Sequence, residues 1–315
     1  MLQSAKFLVV LLSLSASVLT ARAAPEPLRV VTLHTVLTEI ARDVGGAHVT
    51  VTPLLRPGTD PHQFEPAPAD IARLRQAELV LAAGLGLESY LGRLQRELKP
   101  GVLLEIGALL PNPLRGSPSQ AVHHHEPGHD HDDDEAHAHD ETDPHWWHSL
   151  DALQAVVDIV ARQLTLLRPD ARADVERQAA TVRSRLASLQ AWARAKVETL
   201  PAGRRVLVTS HDAFGYLARE FGFTVFPLLG SSTVDEASAR HLAATIQLIR
   251  RNQIRAVFTE ASSSPRLLET IVRETKARLG RPLWADGLGT DPENATIDAM
   301  FRHNLTAIVD GLSAD

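Results

Sequence analysis

Nine of the fifteen histidines fall in one stretch, AVHHHEPGHDHDDDEAHAHDETDPHWWHSL, residues 121–150. Neutral imidazoles and carboxylates at this density are metal ligands by their chemistry, so the issue is which of them could form a defined site. Seven of them (His123, His124, His125, His129, His131, His137 and His139) crowd an acidic run, while His145 stands apart behind Asp143-Pro144. The crowd contains a literal H-E-x-x-H, His125-Glu126-Pro127-Gly128-His129, the string associated with zinc proteases. That chemistry needs a helix to bring both imidazoles to one face. Pro127-Gly128 breaks helices, which leaves the string a chance occurrence in a low-complexity segment.

Three more positions pair with His145. His62 lies in TDPHQFEP a few residues beyond a strand expected at Val49–Pro53. His211 directly follows RVLVTS, and Asp286 ends PLWAD, expected as a strand over Pro282–Asp286. Open α/β sheets bind ligands beyond the carboxyl ends of their strands, and three imidazoles with one carboxylate make a tetrahedral set suited to Zn2+. Asp60-Pro61-His62 and Asp143-Pro144-His145 share a design in which proline stiffens the approach. The aspartate is then suited to bonding backbone or to holding an imidazole from behind. On spacing alone each of these histidines is as readily a polar loop residue, and Asp286 and Glu260 are as readily turn or helix caps. His34, His48, His148, His241 and His303 read as surface or loop residues. Enzyme chemistry finds little support. Ser210-His211-Asp212 is contiguous, whereas triad members meet through the fold. GLGLES has two glycines of the dinucleotide fingerprint and lacks the third, and four protein donors leave a zinc ion no open position for water.

Strands alternating with helices must position these residues. LRVVTLH (Leu28–His34), HVTVTPL, LVLAAG (Leu79–Gly84) and VLLEI (Val102–Ile106) read as strands, with a helix after the first and PADIARLRQA before the third. After RVLVTS the rhythm resumes with FTVFPL, RAVFTE (Arg255–Glu260) and PLWAD, and a helix closes the chain near Pro292–Leu312. The alternation implies parallel sheets. Between the two sets lie a helix from Ser149 to Leu167 and, after Arg168-Pro169-Asp170, a longer one to about Leu200 with no Gly or Pro from Asp170 to Thr199. The fold class is therefore α/β: two βα lobes with mainly parallel sheets, joined by one long helix, with a metal site in the cleft between them. The boundaries expected are residues 1–23 for a signal peptide, 24–168 for the first lobe, 169–200 for the linking helix and 201–315 for the second lobe. Residues 115–142 hold too little apolar surface to offset their ordering entropy and read as a disordered His/Asp-rich loop.

Composition sets the compartment and the partners. Lys6, the apolar run Phe7–Leu19 and Ala21-Arg22-Ala23 form a secretory signal with its cleavage pattern. There is no cysteine, which excludes disulfides, thiolate ligands, a cysteine nucleophile and the lipid attachment of a bacterial lipoprotein. A periplasmic protein without an anchor is the simplest expectation. Residues 123–143 carry nine acids and no Lys or Arg, so the net charge of −6 becomes −6 + 9 = +3 for the remainder. With no basic stripe and 4% aromatic residues, no nucleic-acid partner is expected.

TDPHQFEP, GLGLESYL, DPHWW, TSHDAFGYLAREFG, FTEASSSP and ADGLGTD, in this order over the whole mature chain, resemble the metal-binding solute-binding proteins of zinc and manganese ABC importers, solute-binding protein family 9. The resemblance implies two lobes on one rigid helix and a single ion in the cleft, and it carries the ligand positions onto His62, His145, His211 and Asp286. Glu260 matches a position near the site that is not a ligand. Manganese members usually have glutamate at the position of His211, so histidine favours zinc, as does the His- and acid-rich loop. WWHS after His145 departs from the pattern and is similar to the cysteine-free zinc members. The function implied is periplasmic capture of Zn2+ for delivery to an ABC permease, by a monomeric binding protein rather than an enzyme. A zinc metallochaperone is a further possible partner, and the seven crowded histidines are a weak accessory metal loop. The alternatives are a manganese or iron carrier on the same fold and, from another class, a zinc-dependent hydrolase.

Overall fold

The computed structural model describes residues 25–115, 142–230, 239–261, 266–289 and 295–313. The expected signal peptide and the seven accessory histidines lie outside them, as do most of the loop expected at 115–142 and the side chain of His241.

In the first lobe, β1 (Leu28–Thr32) is flanked by β2 (Val49–Pro53) and β3 (Leu79–Ala82), with β4 (Leu103–Glu105) outside β3; all pairings are parallel, in the order β2-β1-β3-β4. The fully buried run Leu79–Ala82 is the apolar pattern a central parallel strand requires. Helices α1 (Thr35–Gly45), α2 (Pro68–Leu74) and α3 (Leu91–Glu97) make the crossovers.

Helix α4 (Leu150–Leu167) begins at Ser149, whose side chain accepts from Ala152 N, and Arg168-Pro169 separates it from α5 (Arg172–Glu198). The buried residues of α5 are Val175, Ala179, Val182, Leu186, Leu189, Ala193 and Val197. Their spacing of three and four keeps one stripe of the helix apolar over its full length, about 40 Å at 1.5 Å per residue. That stripe packs on α1, α4 and the C-terminal helix α9 (Ile297–Ser313). As a result one buried apolar cluster runs without a break from Val30 and Leu81, through Leu153 and Leu186, to Phe258 and Phe301.

The second lobe repeats the order of the first. Strand β5 (Val206–Thr209) pairs in parallel with β6 (Thr224–Pro227), and a parallel bridge from Thr209 to Phe258 joins it to β7 (Ala256–Val257), which pairs with β8 (Arg278–Leu279). Helices α6 (Gly215–Phe221), α7 (Ala239–Asn252) and α8 (Arg266–Glu274) connect them. Here the expectation for PLWAD is corrected. The fourth strand is Arg278–Leu279, and within Pro282–Asp286 only Leu283 bridges, to Glu260. Pro282 has no N–H to give a ladder. Trp284 N donates to Asn304 Oδ1 of α9, and the Ala285 carbonyl accepts from Trp147 and lies against His148. Side chains take the bonds that a neighbouring strand would need. The RAVFTE strand is likewise shorter than the pattern predicts, although Phe258 N still donates to Val208 O.

Candidate metal centre

Four side chains meet where the two lobes face each other: His62, His145, His211 and Asp286, with one potential ligand atom from each lying within 4.8 Å of all the others. His62 follows β2 on a loop turned by Asp60, whose Oδ1 accepts from His62 N at 2.9 Å. His145 enters a short turn, Trp146–His148, just ahead of α4. His211 comes directly off the β5 end, and Asp286 sits in the side-chain-bonded segment after Leu283. The imidazoles lie 5.3–5.6 Å apart between centroids.

The atoms facing the centre are nitrogens and one carboxylate oxygen. His62 Nε2 is 3.3 Å from His145 Nε2 and 3.6 Å from Asp286 Oδ1, and His211 Nε2 is 3.2 Å from the same Oδ1. His211 Nε2 makes no hydrogen bond among the described residues, being close to Asp286 without being aligned with it. Donors 2.0–2.1 Å from a tetrahedral zinc ion stand about 3.3 Å from one another; the three separations above are close to that distance, and all four atoms lie within 4.8 Å of one another. The side chains of His145 and His211 are fully buried, and those of His62 and Asp286 are 6% and 5% exposed.

Carboxylates hold two of the imidazoles from behind. Asp143 Oδ1 lies 2.9 Å from His145 Nδ1 and also accepts from His145 N at 2.8 Å. Glu260 Oε2 lies 2.7 Å from His211 Nδ1, while its Oε1 accepts from the backbone of Ser210 and His211. Each carboxylate favours a proton on Nδ1, which makes Nε2 the atom that would bind an ion at the centre. Asp60 differs from Asp143: it accepts from the His62 backbone and from Gln63 Nε2.

Charge is distributed unevenly in this pocket. Burial, with the neighbouring His211 and His62, holds the His145 pKa well below the usual imidazole value. Burial works in the same direction at His211, but the Glu260 and Asp286 carboxylates outweigh it and raise that pKa well above the usual value. Asp286 moves the opposite way: burial would raise its pKa, and His211 foremost draws it well down. Burial pushes Asp143 up to about 6.

Two histidines expected on the surface are instead central. His34 and His148 are fully buried, and their Nε2 atoms reach the carbonyls of Asp286 at 3.2 Å and Ala285 at 2.7 Å. A lone histidine carries no sequence signal of this kind. The available hint was position, with His34 at the end of β1 and His148 between two tryptophans and the cap of α4. His48 pairs with Asp174, and His303 bonds Pro282 O, both away from the centre. In GLGLES the turn carries Gly84, Leu85 and Gly86 at positive φ, and the buried Glu88 carboxylate accepts from Ala83 N and Gly84 N. The amides of Ala83 and Gly84 are thus taken by the turn's own side chain rather than offered to a phosphate.

A buried N3O donor set between two α/β lobes spanned by one long helix defines a metal-binding substrate-binding protein of ABC transporters. The family described as zinc-uptake complex component A, periplasmic, matches residues 30–311, and the chain belongs to it. It is a family of solute-binding proteins, not of enzymes. Relatives include the manganese-binding lipoprotein MntA of Bacillus subtilis (30% identical, 92% of each chain covered). The zinc-binding protein TroA of Treponema pallidum is also 30% identical, over 90% of this chain and 88% of its own. The iron-binding protein YfeA of Yersinia pestis is 27% identical over 82% and 78%. Among solved structures, periplasmic zinc-binding TroA superposes with a TM-score of 0.79 at 29% identity, covering 91% of this chain and 99% of its own. A manganese-bound periplasmic metal-binding protein from Candidatus Liberibacter asiaticus gives 0.75 at 26%, covering 90% and 99%.

Proposed function

We propose that this protein captures Zn2+ in the periplasm and delivers it to the membrane permease of an ABC importer. His62, His145 and His211 act as neutral Nε2 ligands and Asp286 as the carboxylate ligand. The observation that carries the reading is the buried set of three imidazole nitrogens and one carboxylate oxygen, all within 4.8 Å of one another and with three of the separations at 3.2–3.6 Å. Relatives are named for zinc, manganese and iron, and the donor chemistry supports zinc among them. Nitrogen-rich four-coordinate sites favour zinc, whereas manganese favours oxygen donors and six-coordination. Asp143 and Glu260 orient two of the ligands, and Asp60 orders the loop that bears the third.

The same reading divides the chain into an exported signal (residues 1–23), a first lobe (24–168), a linking helix (169–200) and a second lobe (201–315). The protein acts as a free monomer, with a zinc metallochaperone as a partner besides the permease and the histidines from His123 to His139 as weak collectors. The test is competition dialysis of purified mature protein against equal zinc and manganese. Zinc is expected to win by at least about 100-fold on the order of affinities for nitrogen sites; equal occupancy would overturn the assignment.

A further inference from the structure

Leu283 and Trp284 are bonded to their own lobe through Thr259 and Asn304, but the residues that follow, at Asp286, are gripped from the other one. Ala285 O accepts Trp147 Nε1 at 2.8 Å and lies 2.7 Å from His148 Nε2, while Asp286 O lies 3.2 Å from His34 Nε2. Leu288 N donates to Thr35 Oγ1 at 2.9 Å. Between them Gly287 has φ +134°, and a Cβ there would stand 2.5 Å from Thr35 Oγ1. The turn is therefore pressed so closely onto the start of α1 that only glycine fits. All four gripping side chains come from the β1–α1 junction or from the turn that carries His145. The rings are stacked as well: His34 lies 4.1 Å from Trp147, which meets His145 edge-on at 5.2 Å.

We propose that His34 and His148 are positioning residues that set the metal selectivity of this site, fixing Asp286 at the separation a small four-coordinate ion requires. The inference rests on the ligand set proposed above. Neither imidazole reaches the centre, since each spends its Nε2 on a backbone carbonyl. Both act through the backbone of Asp286. With two adjacent carbonyls and the next free amide all bonded across the cleft, the carboxylate cannot retreat to admit a larger ion or additional waters. Manganese, which favours six oxygen-rich positions, meets a corner that does not open. His34 has a second duty, because its Nδ1 caps α1 by accepting from Val36 N at 3.3 Å.

Substitution separates these roles. Asn at position 34 retains an acceptor near the place of Nδ1 but cannot reach Asp286 O; Gln retains a donor near the place of Nε2 but not the cap. At position 148, Gln keeps the donor and Leu removes it at similar volume. Zinc and manganese affinities are measured by chelator competition on the full mature chain, with thermal melts to verify folding. His34→Asn and His148→Leu are expected to lose about 10- to 100-fold in zinc affinity, the usual cost of removing a group that supports a ligand. They should lose less for manganese, so that discrimination narrows, while His148→Gln and His34→Gln stay within a few-fold of wild type. Folded His34→Asn and His148→Leu proteins with unchanged affinity and selectivity would overturn the proposal, as would Gln variants as impaired as Leu. Should the wild type prefer manganese, the zinc reading fails on its own account. The clamp is then scored by the loss of affinity for that ion in the same four variants.

Discussion

Glu260 Oε2 stands 2.7 Å from His211 Nδ1, both side chains fully buried, and the same carboxylate accepts from the backbone amides of Ser210 and His211. One residue just past β7 thus fixes the ring orientation, the tautomer and the backbone of His211, just past β5. Glu260→Gln keeps the volume and one acceptor but removes the charge that makes the imidazole a strong donor. The expected result is a zinc affinity lower by about tenfold or more, measured by chelator competition at pH 8, where protons compete least. An unchanged constant would mean that the carboxylate only packs.

The same pair governs the proton balance of capture. Glu260 and Asp286 raise the His211 pKa well above its ordinary value despite burial, so the metal-free site carries a proton there at neutral pH. Burial and the adjacent histidines hold His145 well below its ordinary value, and it is already neutral. A metal needs the lone pair, so zinc must expel the His211 proton. Apparent affinity then rises with pH as long as pH is below that raised pKa, and falls about tenfold for each unit of acidification. Calorimetric titration in two buffers of different ionisation enthalpy should return about one proton released per zinc; none released would contradict the charge assignment.

The pKa of His148 is shifted the opposite way from that of His211, and its pH dependence falls on stability. Burial lowers its pKa from 6.5 to about 4, so the unfolded chain takes up a proton at a pH where the folded chain does not. The stability this neutral histidine contributes is present above 6.5 and is lost as pH falls from there toward about 4, at up to about 1.4 kcal/mol per pH unit. Burial raises Glu39 and Glu88 to about 7 and Asp143 to about 6, and these acids push absolute stability the other way over the same range. The clean measurement is therefore the difference in Tm between metal-free wild type and His148→Gln. That difference should move steadily in favour of the variant from pH 7 to 4.5; a constant difference would refute it.

Much of this was legible in the chain. The apolar runs at Leu28–Thr32 and Leu79–Ala82 form strands because a buried parallel sheet accommodates them, the β-branched alternation of Val49–Pro53 forms the partly exposed edge strand, and Ser149 marks the start of α4 as a cap should. His62 and His211 were flagged by their position after strands and His145 by its place between the long loop and a helix, whereas Asp286 was flagged by a strand end that does not form there. PLWAD misled because its apolar pattern satisfies a strand, while the bonds that decide the matter come from Asn304, Trp147 and His148, far away in sequence. His34 and His148 were unreadable for the same reason. A histidine is placed by its partner, and here the partners are backbone carbonyls more than 130 residues distant, which no local pattern announces.

The crowded histidines can be tested because of how the chain enters and leaves their segment. Arg115 and Thr142 form an antiparallel bridge, Asp143 N donates to Leu114 O, and Leu114 N donates to Tyr216 Oη of α6. The two ends are thus side by side and tied to the second lobe, so removing residues 117–140 and closing the gap with a short turn leaves the approach to His145 in register. What is removed is rich in imidazole and carboxylate but has no apolar anchor, so each ion it takes must be met with fresh loss of chain entropy. His145 is held by Asp143, buried, and followed directly by a capped helix. The deleted protein should therefore keep one tight zinc per chain and lose only weaker binding. At a thousandfold excess over the dissociation constant, that zinc should still stabilise it by about 4.1 kcal/mol, and the additional change His211→Ala should abolish most of the gain. A deleted protein with no tight zinc in the titration would move the site from the cleft to the crowd.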